Sequence, residues 1–151
     1  MKAVDALPFH SHLGIQAVGI GPGSATVRLP DRAEYRSYVG SVQGGAVYAV
    51  AEAAASAAIA GLLGDEIASS TLVVAGSSIT FTRPAVGELV ATATLAEDPA
   101  AIFRRLMRDG ATLLASLVAV RDRAGNTVAE VEFEWRLSRK IDSPRALFAV
   151  A

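Results

Sequence analysis

The run from Gln43 to Gly64 constrains the fold more than any other stretch of this chain. Its only ionisable group besides the Tyr48 phenol is Glu52, and alanine, valine, isoleucine and leucine supply most of the rest. Alanine has the highest helix propensity, so the run predicts one long helix. Apolar residues fall on every side of its wheel, which predicts that other elements bury it. A carboxylate in the middle of such a helix is costly unless it is paired or has chemical work to do. At the start, Gly44 and Gly45 leave backbone N–H groups uncovered at the positive end of the helix dipole. Amide donors at one end and a carboxylate two turns on are the raw materials of acyl-transfer chemistry.

Spacing adds a condition. Gly44 and Glu52 are separated by eight positions, about 12 Å along a helix axis. One substrate carbonyl cannot reach both within a single helix. If both groups act on the same carbonyl, the second must come from another copy of the chain. Two antiparallel helices about a two-fold axis would provide it.

The same run has the length of a short membrane span. Its quality argues against insertion: alanine is weakly lipophilic, and a central acid costs about 2.5–3.5 kcal/mol on insertion scales. The chain has 52% apolar and 19% charged residues, a net charge of −1 and no cysteine. Those totals exclude a disulfide framework and a thiol nucleophile, and they leave no cationic footprint for nucleic acid or an anionic membrane. The apolar excess suits a chain that buries further area by self-association. No apolar segment precedes Asp5, so no signal peptide is read and a cytoplasmic location is expected. His10 and His12, two apart and with no third ligand in sequence, are a weak metal signal, and no metal is expected.

The rest of the chain reads as one domain over residues 1–151, with a core at about 8–137 and a tail at 138–151. After a short lead-in, Ile15–Ile20 and Ser24–Leu29 form a hairpin around Gly21-Pro22-Gly23. Ser41 is the expected N-cap of the long helix, and Gly61 or Gly64 its stop. Thr71–Arg83 and Glu88–Leu95 read as strands. Pro99 then opens a short helix on which Ile102, Phe103, Leu106 and Met107 share a face. Thr112–Val120 and Thr127–Leu137 close the chain as a hairpin. In the last strand Val131, Phe133, Trp135 and Leu137 alternate with Glu130, Glu132, Glu134 and Arg136, one face for packing and one for water. Tyr48 and Trp135 read as packing residues. An antiparallel sheet that covers one apolar helix has to curl around it, an α+β arrangement.

Five pieces in this order resemble the PaaI-like acyl-coenzyme A thioesterase family of the hotdog fold. They are Pro8-Phe9 with His12-Leu13-Gly14-Ile15; Gln43-Gly44-Gly45-Ala46 followed by Glu52; Ile79-Thr80-Phe81-Thr82-Arg83-Pro84-Ala85 with Gly87; Asp109-Gly110 with Leu113-Leu114-Ala115; and Gly125-Asn126-Thr127-Val128-Ala129. Gln43 stands where the family has histidine, Glu52 where it has a catalytic aspartate, and Ser37 where many members carry asparagine. Val74 falls where some members place a hydroxyl that positions water. The resemblance implies a curved antiparallel sheet around a central helix and hydrolysis of an acyl- or aryl-coenzyme A thioester at a site shared by two subunits. Glu52 would be the base or nucleophile, Gly44 the oxyanion donor, and Gln43 a further catalytic contact. Ser37, Gly45 and Arg83 would touch substrate, and Arg104, Arg105 and Arg108 are further cations available for phosphate. No cofactor is implied, since coenzyme A is part of the substrate. The implied assembly is a homodimer or a dimer of dimers. Each group also has a plainer reading: Glu52 as a paired core acid, Gly44 and Gly45 as points of close packing, Gln43 as a solvated cap, Ser37 as a loop residue, and the arginines as solvated ends. Two rival functions stay open. One is a hydratase or dehydratase, which needs a histidine beside the acid; the other is a non-catalytic protein that binds acyl ligands.

Overall fold

The computed structural model describes residues 2–139. Of the expected tail, Ser138 ends the last strand, and residues 140–151 lie outside the described residues. The order of elements is α1 (Lys2–Asp5), α2 (Pro8–Leu13), β1 (Gln16–Gly21), β2 (Ser24–Leu29), α3 (Gly44–Leu63), β3 (Thr71–Phe81), β4 (Leu89–Leu95), α4 (Pro99–Asp109), β5 (Ala111–Arg121) and β6 (Thr127–Ser138), with 3-10 turns at Ala33–Tyr35 and Gly64–Ser69. The six strands form one antiparallel sheet in the order β1-β2-β4-β5-β6-β3. Strands β1 and β3 are its edges.

Alternation along each strand decides what faces α3. Val27 and Leu29 of β2, Leu89, Ala91 and Ala93 of β4, and Val131, Phe133, Trp135 and Leu137 of β6 are buried, while Glu130, Glu132 and Glu134 face outward. The outward glutamates pair with small or neutral neighbours such as Thr80, Ser78 and Ala119 across the ladders. Against the inner face, α3 buries Val47, Val50, Ala51, Ala53, Ala57 and Ile59 among others. Alanine matters here for its size: a methyl group lets the helix axis sit close to the curled sheet, where longer side chains would hold it off. Trp135 packs as expected, and its indole N–H donates to the buried Ser116 hydroxyl at 2.9 Å.

Helix and hairpin also meet backbone to backbone. The Gly23 N–H of the β1–β2 turn donates to the Ala58 carbonyl of α3 at 3.2 Å. One turn further along, a Cβ on Gly61 would stand 2.2 Å from the Gly21 carbonyl oxygen. Gly61 therefore does not stop the helix; it lies within it and admits the hairpin. Gly64 is the residue that ends α3, its N–H donating to the Ala60 carbonyl.

Ser41 does not cap α3. Gln43 occupies the N-cap position without a side-chain hydrogen bond, and the Ser41 hydroxyl meets the Ser37 hydroxyl at 3.1 Å instead. The inserted helix α4 forms as expected, with Pro99 in its first turn, the Asp98 carboxylate accepting from the Ala100 N–H, and Ile102 and Leu106 fully buried. By length and composition, Gly44–Ser69 is apolar enough to cross a membrane, with a mean hydropathy of 1.7. In the fold its helix is the core, and the sheet curls around it. This is a hotdog fold.

One expectation changes. Helix α3 is not buried on all sides: Gly45, Tyr48, Glu52, Ser56 and Ala60, spaced three or four apart, form a stripe that the sheet leaves partly uncovered. Edge strand β3 runs beside it, and none of its eleven residues is buried. The alanine content concealed the stripe, because neutral small residues on the open face look like those on the closed one.

Candidate functional site

The tip of α3 opens into a cleft of about 440 Å3, and Ser37, Gln43, Gly44 and Arg83 all line it. Four of the six residues picked from sequence therefore meet at one place. Val42, Val47 and Val128 give the cleft an apolar floor. The loop before the helix is held by Ser37 N–H to the Ser41 carbonyl, Gln43 N–H to the Tyr35 carbonyl and Val42 N–H to the Ala85 carbonyl, at 2.7, 2.7 and 2.9 Å. Tyr35 is anchored in turn through its hydroxyl, which donates to the Leu13 carbonyl. Among the described residues, no acceptor takes the N–H of Gly44 or Gly45. First-turn amides have no partner within the helix, so both remain available to a ligand oxygen.

The two glycines differ. A Cβ on Gly44 would stand 3.0 Å from Cζ of the Phe81 ring, so that glycine makes room for the ring. A Cβ on Gly45 would meet nothing within 4 Å. Gly45 is exposed, in the first turn of an alanine-rich helix, where glycine costs about 1 kcal/mol. Nothing inside the protomer demands it.

Glu52 and Gly45 lie outside the cleft lining. Glu52 projects from the open stripe, two turns beyond Gly44. Burial pushes its carboxyl above the usual carboxylate range, and the nearby charge of His10 pulls the other way. His10 is buried, and its Nδ1 lies 2.9 Å from the Val4 carbonyl oxygen, which makes that nitrogen the donor. No hydrogen bond joins His10 to Glu52. Between the tip and Glu52, the Tyr48 hydroxyl meets the Ser77 hydroxyl of β3 at 2.9 Å, while its ring packs edge-on against Phe133 at 5.4 Å. Tyr48 thus does more than pack. The hydroxyl-bearing residue of β3 that faces α3 is Ser77; the position weighed from sequence, Val74, is partly buried beside a bulge. Sequence offered no signal for this pair, since 29 residues separate its members.

Of the described arginines, Arg83 alone lines the cleft. Arg105 binds Glu97, Thr112 and the Leu113 carbonyl, and Arg108 binds Asp109, so both act in and around α4. Among the described residues, no three His, Asp or Glu side chains gather as a metal site would require. A larger hollow of about 550 Å3 lies on the outer face of the sheet, between Thr92, Thr94, Leu117, Glu130 and Glu132. None of the residues picked from sequence as candidate site groups lines it.

The raised carboxyl has a consequence for stability. The folded protein holds the Glu52 proton more tightly than the unfolded chain does. Its contribution is therefore fully present below the unfolded carboxyl range and lost as pH rises through the folded value. Glu52→Gln is expected to be more stable than the native protein at pH 7, with the difference vanishing at pH 4. Denaturant midpoints of the two proteins at both pH values measure this; a constant difference would mean that burial does not bear on the carboxylate.

Comparison with known proteins places the chain among hotdog structures. Residues 2–137 match the model of a domain of unknown function, DUF4442. No curated protein matches the chain. The structure of AziG from S. sahachiroi is 32% identical, with 88% of this chain and 98% of that one aligned at a TM-score of 0.71. PA5026 from Pseudomonas aeruginosa, described as a protein of unknown function and probable thioesterase, is 24% identical over 89% of this chain and 90% of that one, at a TM-score of 0.77. A thioesterase family protein from Silicibacter pomeroyi is 17% identical over 91% and 93%, at a TM-score of 0.74.

Proposed function

The chain belongs to the DUF4442 family, and from that footing we propose that it hydrolyses acyl-coenzyme A thioesters at a site completed by a second copy of itself. The observation that carries the proposal is the separation of the two halves of the chemistry. Free amides at the α3 tip and the Glu52 carboxylate lie about 12 Å apart on one helix, and Gly45 and Glu52 both lie along the stripe that the sheet leaves open. Beside that stripe runs edge strand β3, paired with β6 on one side only and with no buried residue. An exposed edge of this length is normally covered or paired. A two-fold axis beside β3, with the helices antiparallel, would pair the strands and bring each Glu52 to the other subunit's tip.

In such a site the thioester carbonyl accepts from the Gly44 and Gly45 N–H groups, where negative charge develops in the transition state. Glu52 of the facing subunit removes a proton from water, whose oxygen bonds the carbonyl carbon as the C–S bond breaks and coenzyme A leaves as its thiol. Alternatively the carboxylate itself attacks, expelling coenzyme A and forming an anhydride that water then cleaves. Gln43 and Ser37 flank the carbonyl, and Arg83 meets an anionic part of the coenzyme A moiety. The acyl group lies against the apolar floor of the cleft. Thioesterase descriptions of structures with the same fold support the reaction class, and the PaaI-like resemblance supports the substrate. A hydratase would need a histidine bonded to the acid; His10 acts on Glu52 through its charge, its Nδ1 donates to the Val4 carbonyl, and no hydrogen bond joins it to the carboxyl.

Gly45 makes the shared site testable. Gly45→Ala is expected to fold as stably as the native protein, or about 0.5–1 kcal/mol more so, yet to lose hydrolysis because a methyl group would occupy the place of the ligand. Chains carrying Gly45→Ala and chains carrying Glu52→Gln, each inactive alone, should recover about a quarter of native activity when unfolded together and refolded as a mixture, since half the dimers are mixed and each has one intact site. No recovery, with mixed dimers demonstrated, would rule out sharing.

A further inference from the structure

We propose that Phe81 decides which acyl groups reach the helix tip, an inference that rests on the thioester reading above. Phe81 is the last residue of β3, and the strand end is pinned just beyond it. The Thr82 N–H donates to the Val128 carbonyl at 2.9 Å, and the Thr82 hydroxyl donates to the Thr127 carbonyl at 2.7 Å. The ring reaches from this fixed point towards the helix end-on. Its Cζ, Cε1 and Cε2 atoms lie 3.0, 3.4 and 3.8 Å from the place a Cβ of Gly44 would take. The ring thus occupies the space where a first-turn side chain would otherwise project.

Packing within the protomer does not account for it. Phe81 is 52% exposed, so much of the free energy of burying a phenyl ring is forgone. On one side of the ring lies the cleft, with Val42, Val47 and Val128 at its floor at 7%, 2% and 1% exposure. On the other side, the inner face of β3 leads past Ser77 to the Tyr48 hydroxyl and on towards Glu52. Phe81 lines the same cleft as Gly44 and the apolar floor, so an acyl chain whose carbonyl is held by the tip amides lies against the edge of this ring. A linear chain passes; a ring directly on the carbonyl carbon meets the phenyl edge.

The test compares hexanoyl- and benzoyl-coenzyme A. The native protein is expected to favour hexanoyl, and Phe81→Ala to shift the ratio of the two kcat/KM values towards benzoyl by about 10- to 100-fold, the range open to a change of shape in an apolar pocket. Phe81→Leu, which keeps apolar contact but removes the ring, should shift it in the same direction by less. It also serves as the readout if the alanine variant folds poorly. A merely structural role would lower both rates together, and an unchanged ratio overturns the inference. Affinities for the two non-hydrolysable thioether analogues, measured by calorimetry on the same proteins, keep the question separate from catalysis. If the analogue ratio shifts and no thioester is hydrolysed, Phe81 selects ligands and the hydrolase reading fails. If thioesters are hydrolysed and neither ratio moves, the Phe81 inference fails alone.

Discussion

Glu52→Gln is expected to lower kcat/KM for acyl-coenzyme A hydrolysis by about 10²- to 10⁴-fold, the range over which a positioned general base contributes. Glutamine keeps the shape and hydrogen-bonding reach of the side chain and removes only its charge and basicity. A fall confined to kcat would place the charge in the chemical step; a rise confined to KM would make it a binding group. The native protein should lose activity on the acid side of its profile with a midpoint above the ordinary carboxylate value of about 4.3, because burial raises the Glu52 carboxyl and only the ionised form is a base. Hydrolysis of short, long and aromatic acyl-coenzyme A esters by both proteins is the measurement. If Glu52→Gln works within threefold of the native rate on every ester, the carboxylate is not catalytic.

Gly61→Ala should have the largest effect on stability. Helix propensity alone favours alanine at this position by about 1 kcal/mol. The structure reverses the sign, because the new Cβ would stand 2.2 Å from the Gly21 carbonyl oxygen and 2.8 Å from Cγ2 of Ile20. Backbone cannot rotate aside as a side chain can, so the β1–β2 hairpin must lift away from α3, weakening the Gly23 to Ala58 hydrogen bond. Overpacking of this kind costs on the order of 3 kcal/mol, roughly a 10 °C fall in Tm for a chain of this length. Gly45→Ala is the internal control: the same substitution in the same helix, with open space around the new methyl group. Thermal and denaturant unfolding of the pair would show opposite signs. Equal stabilities would mean the hairpin is not seated on the helix as described.

Much of the fold was legible in the sequence because its signals are local. Alternation in Thr127–Leu137, helical spacing in Ile102, Leu106 and their neighbours, and Pro99 at a helix start each depend on residues a few positions apart, and each element formed within two residues of its expected bounds. The cap failed for the same kind of reason. Ser41 has a capping side chain, but the helix begins only at Gly44, and the hydroxyl was taken by Ser37. The site was half legible: Ser37, Gln43, Gly44 and Arg83 meet at one cleft. Phe81, Tyr48 and Ser77 read from sequence as ordinary strand and helix residues. Their roles come from distances between β3 and α3, which no local pattern records.

The sequence by itself determined that an apolar helix carrying one acid would be wrapped by an antiparallel sheet, because propensity, periodicity and the cost of a buried charge act along the chain. Only the tertiary structure decided which side of that helix stays open, where the hairpin touches it and which ring stands at its tip. Alanine and glycine look alike from every direction in sequence. What distinguishes one from another is the backbone or ring that arrives from 20 or more residues away.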